Sequence, residues 1–403
     1  MGLSGVCKKN NINAVIAGSV TKPAMAMVLL FLFSAKTFSE NAIKNPLFFT
    51  ARGDYGYVLP TNDLVRGENC HNKAINEFSA FSLGVGKQTV GAHAWEQLYG
   101  FPAYGVAFYS LLPEYGDELG YPFSLYGFLN GAFYRWQRSS LVYKIECGFA
   151  FNWKPYDFDN NPNNIVIGSR GTVHIGLRIA YNYWLTKHLE LSAGAGFTHF
   201  SNGSYKKPNK GLNLCSPNIT LNYYPKPKPE FYSLAHIPPY PKNHEIFITV
   251  GAGIKAVNHE NYPPKHNIQY FVVTSSLAYM RQYAYKSKAG AGFSVIYDEW
   301  GGSDIDEDEN GKLISVLGKQ KERFAVNLFV AHEFCIDRVS ILTQFGYYVW
   351  QGMPIEKKVS LNEKIGIKYH FRNNLFAGVS MLAYNFSIAD YIEWNVGYRI
   401  KAL

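Results

Sequence analysis

The sequence is poor in charge, in cysteine and in long apolar runs. Only 17% of its 403 residues are charged, and no Lys/Arg run interleaved with aromatics is present, so nothing suggests a nucleic-acid partner. The five cysteines, Cys7, Cys70, Cys147, Cys215 and Cys335, are widely spaced and form no metal-ligand pattern. They predict neither a metal centre nor a particular disulfide. One uninterrupted apolar stretch stands out, Ala24–Ser34, too short to cross a bilayer comfortably as a helix. Together with a slightly negative mean hydropathy, it argues against helical membrane spans.

That stretch follows Lys8, Lys9 and Lys22 and precedes small residues near Ser39, the pattern of a secretory signal over residues 1–39. Cys7 has no lipobox before it. Removing residues 1–39 takes away four lysines and no acid, so the formal charge of +9 falls to +5. The excess left on the exported chain is modest.

What is abundant is equally informative. Thirty tyrosines, 28 phenylalanines and 36 glycines make the aromatic, glycine-rich mixture expected where strands meet a membrane interface and inward positions must be small. From about residue 45 onward, apolar and polar residues alternate in runs as long as a tilted strand crossing needs. Leu141, Tyr143, Ile145, Cys147, Phe149 and Phe151 oppose Val142, Lys144, Glu146, Gly148 and Ala150. Val173, Ile175, Leu177, Ile179, Tyr181 and Tyr183 oppose His174, Gly176, Arg178, Ala180 and Asn182. The same phase recurs in 246–256, 375–383 and 392–400. Tight turns are expected at Arg138–Ser139, Thr186–Lys187, Asp337–Arg338 and Arg372–Asn373, and longer loops at 113–122, 153–168, 201–211, 257–267 and 298–323. Such alternation of short and long connections is that of an outer-membrane barrel. The expected fold is therefore all-β: a transmembrane, antiparallel, up-and-down β-barrel of about 14 strands, with an even number from about 12 to 16 allowed.

The Pro-rich stretch 225–243 is the one internal seam, separating an amino-terminal half, 40–224, from carboxy-terminal strands, 244–403. A single closed barrel is expected across it, because an open half would leave a sheet edge in lipid.

One strand breaks the pattern. In Phe197–Asn213, FTHFSNGSYKKPNKGLN, His199 and Ser201 lie at i and i+2 and so share a face. That face is the apolar one, in phase with Leu189, Leu191, Ala193, Ala195 and Phe197. Asn213, in phase with Cys215, Pro217, Ile219, Leu221 and Tyr223, joins them. A histidine beside a serine is a base beside a nucleophile, and a pair aimed outward from a membrane barrel suggests a lipid substrate. The bland alternative is a hairpin loop built of ordinary Ser-Asn-Gly and Pro-Asn turn residues, with the histidine at the interfacial girdle.

The run HFSNGSYKKPNKGLN at 199–213, with a weaker likeness in NWKPYDFDNNPNNIVIGSR at 152–170, resembles the outer-membrane lipid A 3-O-deacylases, or acyloxyacyl hydrolases (PagL-type). The likeness covers roughly residues 75–225; beyond the seam the chain looks more like the family's longer bacterial relatives. The resemblance implies a serine esterase of the bacterial outer membrane that takes lipid A or lipopolysaccharide as substrate and needs no cofactor. It makes Ser201 the nucleophile and His199 its base, and places Asn202, Gly203 and Asn209 in the oxyanion-stabilising region. Where smaller members carry a glutamate that orients the histidine, this chain has Asn213. An amide oxygen accepts the histidine N–H as in Cys-His-Asn enzymes, but supplies no charge.

Lys206, Lys207 and Lys210 in the same loop are candidates to hold the phosphorylated head group. Asp306–Gly311, DEDENG, opens like an EF-hand loop but has Leu317 where the bidentate glutamate belongs, so it reads as a solvated acidic loop. Two other readings stay open: a passive barrel whose Lys144, Glu146, Arg178, Lys255, Lys288, Lys364 and Lys368 line a water path, and a phospholipase using the same site. A homodimer that shields the outward site is a further expectation.

Overall fold

The computed structural model describes residues 45–402, apart from 232–236, 238, 239, 241, 258–267, 310–312 and 387. The expected signal segment, the turn of the acidic run and part of the Pro-rich seam lie outside the described residues. Contacts group the chain into two compact units, each built around one barrel.

The first barrel is closed by eight antiparallel strands: β1 (Leu47–Val58), β2 (Glu77–Gln88), β3 (Ala103–Pro113), β4 (Gly120–Arg135), β5 (Ser139–Trp153), β6 (Thr172–Trp184), β7 (Leu189–Ser201) and β8 (Leu212–Tyr223). Closure comes from β1 pairing with β8, Phe49 opposite Tyr223 at one end and Val58 opposite Leu214 at the other. The second barrel comprises β9 (His244–Val257), β10 (Ile268–Ala284), β11 (Ser287–Asp298), β14 (Phe324–Ile336), β15 (Val339–Gln351), β16 (Leu361–His370), β17 (Leu375–Tyr384) and β18 (Ile388–Ala402), closed by β18 on β9. A separate hairpin, β12 (Ser303–Glu307) with β13 (Leu313–Leu317), stands between β11 and β14 in the chain, and the acidic run begins within it.

The all-β barrel class is as expected, but the single barrel of about 14 strands is not what forms. Each half escapes the edge problem by closing on itself, a third solution beside one whole barrel and an open half. Alternating connections are present. The turn at 136–138 is tight, whereas 59–76, 154–171 and 202–211 are long and emerge at the opposite end. One connection at the tight-turn end departs from the rule: residues 89–102 include a short helix, Ala94–Leu98.

The alternation becomes inside and outside. On β6, Ile175, Leu177, Ile179 and Tyr181 are exposed on the outer wall, while His174, Arg178 and Asn182 are buried within. An eight-stranded barrel is just wide enough for side chains to fill, and the first is filled by a salt-bridge lattice. Arg52 meets Asp54 at 2.8 Å and Glu146 at 2.5 Å; Arg178 meets Asp54 at 2.8 Å and Glu146 at 3.1 Å; Lys144 adds a contact to Glu146 at 3.3 Å. Apolar side chains including Leu111, Trp153, Phe200 and Leu212 belong to the same interior. The second barrel is filled similarly, with Lys255–Asp298 at 2.6 Å, Lys288–Glu245 at 2.5 Å, Lys364–Glu393 at 2.9 Å and Lys368–Glu333 at 2.6 Å.

Candidate active site

β7 and β8 are neighbouring strands, and their register sets His199 directly opposite Asn213. Both point outward, as the phase of the strand requires: Glu190, Ser192, Thr198 and Phe200 are buried inside the barrel, and His199 and Ser201 are half-buried on the outer wall. His199 Nδ1 lies 2.7 Å from Asn213 Oδ1. Because an amide oxygen only accepts, the Nδ1 proton is donated to it, and the lone pair of the ring is left on Nε2. Ser201, about 6.7 Å further along the strand by β geometry, shares the outer face. Among the described residues the His199 ring is hydrogen-bonded to Asn213 and not to the Ser201 hydroxyl; catalytic pairs often tighten only when substrate is bound.

Gly211 packs against both groups. Its φ is +74°, and a Cβ there would stand 2.9 Å from His199 Cε1 and 3.6 Å from Ser201 Cβ. Only glycine combines that left-handed backbone with so close an approach. Its backbone is held on both sides: the N–H donates to Val166 O at 3.0 Å, and its carbonyl accepts from Asn62 Nδ2 at 3.2 Å. Lys210 N–H donates to Ile165 O at 3.1 Å. Those carbonyls belong to the β5–β6 loop, shaped by the fully buried Asn164. Its Oδ1 accepts from the N–H groups of Val166 and Ile167, and its Nδ2 donates to Lys154 O at 2.7 Å and Glu118 O at 3.2 Å. Part of 152–170 thus builds the wall behind the site.

The loop after Ser201 is tied internally. Asn202 N–H donates to Asn209 Oδ1 at 3.0 Å, and Asn202 Nδ2 donates to Lys206 O at 2.8 Å. The Asn202 backbone donor is therefore engaged within the loop. Gly203 turns the chain at φ +59°. Of the three lysines, Lys206 and Lys210 are exposed, whereas Lys207 Nζ donates to Ser204 Oγ at 3.0 Å.

Sequence reasoning missed Thr61 and Asn62. Both lie in the β1–β2 connection, far from His199 in the chain, and Asn213 Nδ2 donates to Thr61 Oγ1 at 3.1 Å. The available local signal was Leu59-Pro60-Thr61-Asn62, a turn followed by a helix cap; Asn62 Oδ1 does accept from Val65 N–H. A second serine–histidine–carboxylate row, Ser124–His174 at 2.6 Å and His174–Glu146 at 3.7 Å, runs through the barrel interior. All three residues are fully buried, so no ester reaches them.

A closed barrel, polar within and apolar without, is of the outer-membrane class, and this one carries a polar cluster on its outer wall. The chain belongs to the PagL family. The family described as lipid A 3-O-deacylase (PagL) matches residues 80–222, and the acyloxyacyl hydrolase C-terminal domain of the same family matches residues 244–402. The family is one of outer-membrane acyl-ester hydrolases acting on lipid A. No curated protein matches the chain. Among solved structures, the Ralstonia pickettii toluene transporter TbuX is 8% identical, with 90% of each chain covered and a TM-score of 0.18. Pseudomonas aeruginosa OccK5 is 10% identical, with 89% of this chain and 99% of that chain covered and a TM-score of 0.19. TM-scores this low carry no argument about fold or activity.

Proposed function

We propose that the chain is a serine esterase that removes an ester-linked acyl chain from lipid A at the outer wall of its first barrel. The observation that carries this reading is the His199–Asn213 hydrogen bond beside Ser201, on a face otherwise apolar. Ser201 Oγ attacks the ester carbonyl carbon while His199 Nε2 takes its proton. The tetrahedral oxyanion collapses, the bond from carbonyl carbon to sugar oxygen breaks, and the departing alkoxide takes the proton back from Nε2. Water, deprotonated by the same nitrogen, then attacks the acyl-enzyme, and the fatty acid leaves as Ser201 regains its proton.

Oxyanion stabilisation falls to Gly203 N–H and the Asn209 amide, with Asn202 holding the loop that carries them. Donors aimed at a developing oxyanion are commonly worth about 3–4 kcal/mol each. Lys206 and Lys210, free to reach outward from the loop, meet the phosphates of the head group, with Lys207 behind them. A passive pore is the weaker reading. The seven charged residues that would line it are each ion-paired in a filled interior, as in Lys255 with Asp298 and Lys368 with Glu333.

Mass spectrometry of lipid A incubated with the refolded barrel, wild type beside Ser201→Ala, tests the reading. Loss of one hydroxyacyl mass with the wild type alone supports it. Equal cleavage by both removes Ser201 as nucleophile, and cleavage of phospholipid in the same micelles with lipid A intact changes the substrate.

A further inference from the structure

Asn213 brings a problem that a carboxylate would not. The two ends of its amide have nearly the same shape and opposite character: Oδ1 accepts and Nδ2 donates. With Oδ1 toward His199, the imidazole proton sits on Nδ1 and Nε2 is a base. With Nδ2 toward His199, Nδ1 must accept, the proton moves to Nε2, and the lone pair needed by Ser201 is gone. Either oxygen of a carboxylate would accept, so rotation would not matter. An amide here needs a second contact that sets its rotation.

Thr61 is that contact. Asn213 Nδ2 donates to Thr61 Oγ1 at 3.1 Å, and the acceptor nearest the Thr61 hydroxyl proton is Leu59 O, a long contact at 3.5 Å that favours Oγ1 as the accepting partner of Asn213. The threonine is brought there by backbone. Leu59 N–H donates to Asn213 O at 2.9 Å, continuing the β1–β8 ladder by one residue. Thr61 N–H then returns to Leu59 O at 2.7 Å around Pro60, a three-residue turn that the fixed φ of proline favours. Asn62, next in the chain, donates to Gly211 O at 3.2 Å and so ties the same loop to the glycine that packs on His199.

We propose that Thr61 is a positioning residue that sets the amide orientation of Asn213 and, through it, the tautomer of His199. The inference rests on the serine-esterase reading, in which His199 Nε2 is the base. Thr61 itself touches neither substrate nor reacting atoms.

Thr61→Val keeps the shape and removes the acceptor; Thr61→Ser restores it. Nitrogen-15 spectra of histidine-labelled protein in detergent, with His199 assigned by difference against His199→Gln, read the tautomer without any turnover. Wild type and Thr61→Ser show the proton on Nδ1, and Thr61→Val shows a population with it on Nε2. In turnover, Thr61→Val loses about 10-fold in kcat at unchanged KM, and Thr61→Ser stays within about two-fold of wild type. In an Asn213→Asp background, Thr61→Val changes kcat by less than about two-fold, because a carboxylate has no wrong end. A wild-type tautomer in Thr61→Val, or the same loss in the Asn213→Asp background, overturns the proposal. If Ser201→Ala cleaves lipid A as well as wild type, the serine-esterase reading fails instead, and the His199 spectrum still decides whether Thr61 orients Asn213.

Discussion

His199 and Asn213 face each other across the β7–β8 ladder, Nδ1 to Oδ1 at 2.7 Å. An amide oxygen in that place fixes a tautomer without contributing charge. Asn213→Ala is expected to lower kcat/KM by about 100-fold, at the low end of what positioned acid–base catalysis supplies. Asn213→Asp is expected to raise kcat above wild type, since a carboxylate also stabilises the imidazolium formed in each step. Steady-state hydrolysis of purified lipid A measures both. An Asn213→Ala enzyme as fast as wild type would remove the residue from the mechanism.

Gly211→Ala places a methyl 2.9 Å from His199 Cε1 on a backbone at φ +74°. The left-handed conformation alone costs about 1–2 kcal/mol for a residue with a Cβ. The crowding moves the imidazole, so activity should fall by more than about 10-fold while the barrel still folds. Heat-modified migration of the folded barrel, run beside the lipid A assay, separates the two effects.

The interior lattice of the first barrel makes a prediction about stability rather than turnover. Glu146 contacts Arg52, Arg178 and Lys144 and is fully buried. Glu146→Ala removes the carboxylate that Lys144 meets and leaves Arg52 and Arg178 to share Asp54, an excess of buried positive charge that should cost about 3–5 kcal/mol. Urea unfolding in lipid vesicles measures it; an unchanged midpoint would mean that water enters the barrel.

Glu118, in the β3–β4 connection, is buried at the base of the loop layer, where its Oε1 accepts from Cys70 N–H at 3.3 Å. Burial pushes its carboxyl above the ordinary value of 4.5. With the folded-state value raised, the favourable contribution is complete below the unfolded-state value and is lost as pH rises through the folded one. Glu118→Gln should therefore match wild type in stability near pH 4, by about the reference value for glutamate, and exceed it at neutral pH. Unfolding midpoints across that range check it, and parallel curves would contradict it.

The lysines of the β7–β8 loop are tested by substrate charge. Replacing Lys206, Lys207 and Lys210 together with glutamine should reduce activity on phosphorylated lipid A by at least about 10-fold, and activity on a neutral ester much less, at the roughly 1 kcal/mol that each basic residue contributes near an anionic surface. Equal loss on both substrates would assign the lysines to folding of the loop.

Much of this molecule is written in a period of two. Whether a side chain meets lipid or barrel interior depends only on its parity within its own strand, so the outward placement of His199, Ser201 and Asn213 is legible in the chain's alternation alone. So is the family, from a few residues around them. Closure is not. Whether eight strands seal on themselves or continue into a larger ring depends on β1 meeting β8 and β18 meeting β9, pairings between segments far apart in the chain that no local pattern encodes. For the same reason Thr61 and Asn62 are invisible in the sequence as parts of the site, and Gly211 and Asn164, though inside the runs that carry the family likeness, show no particular role there. Each acts through a backbone, hydroxyl or amide group, brought together by three separate loops, and an asparagine or threonine in a loop looks alike whether it turns the chain or orients a base. The sequence alone determined the faces and the chemistry available on them; tertiary pairing decided how many barrels form and which distant loops pack against His199 and Asn213.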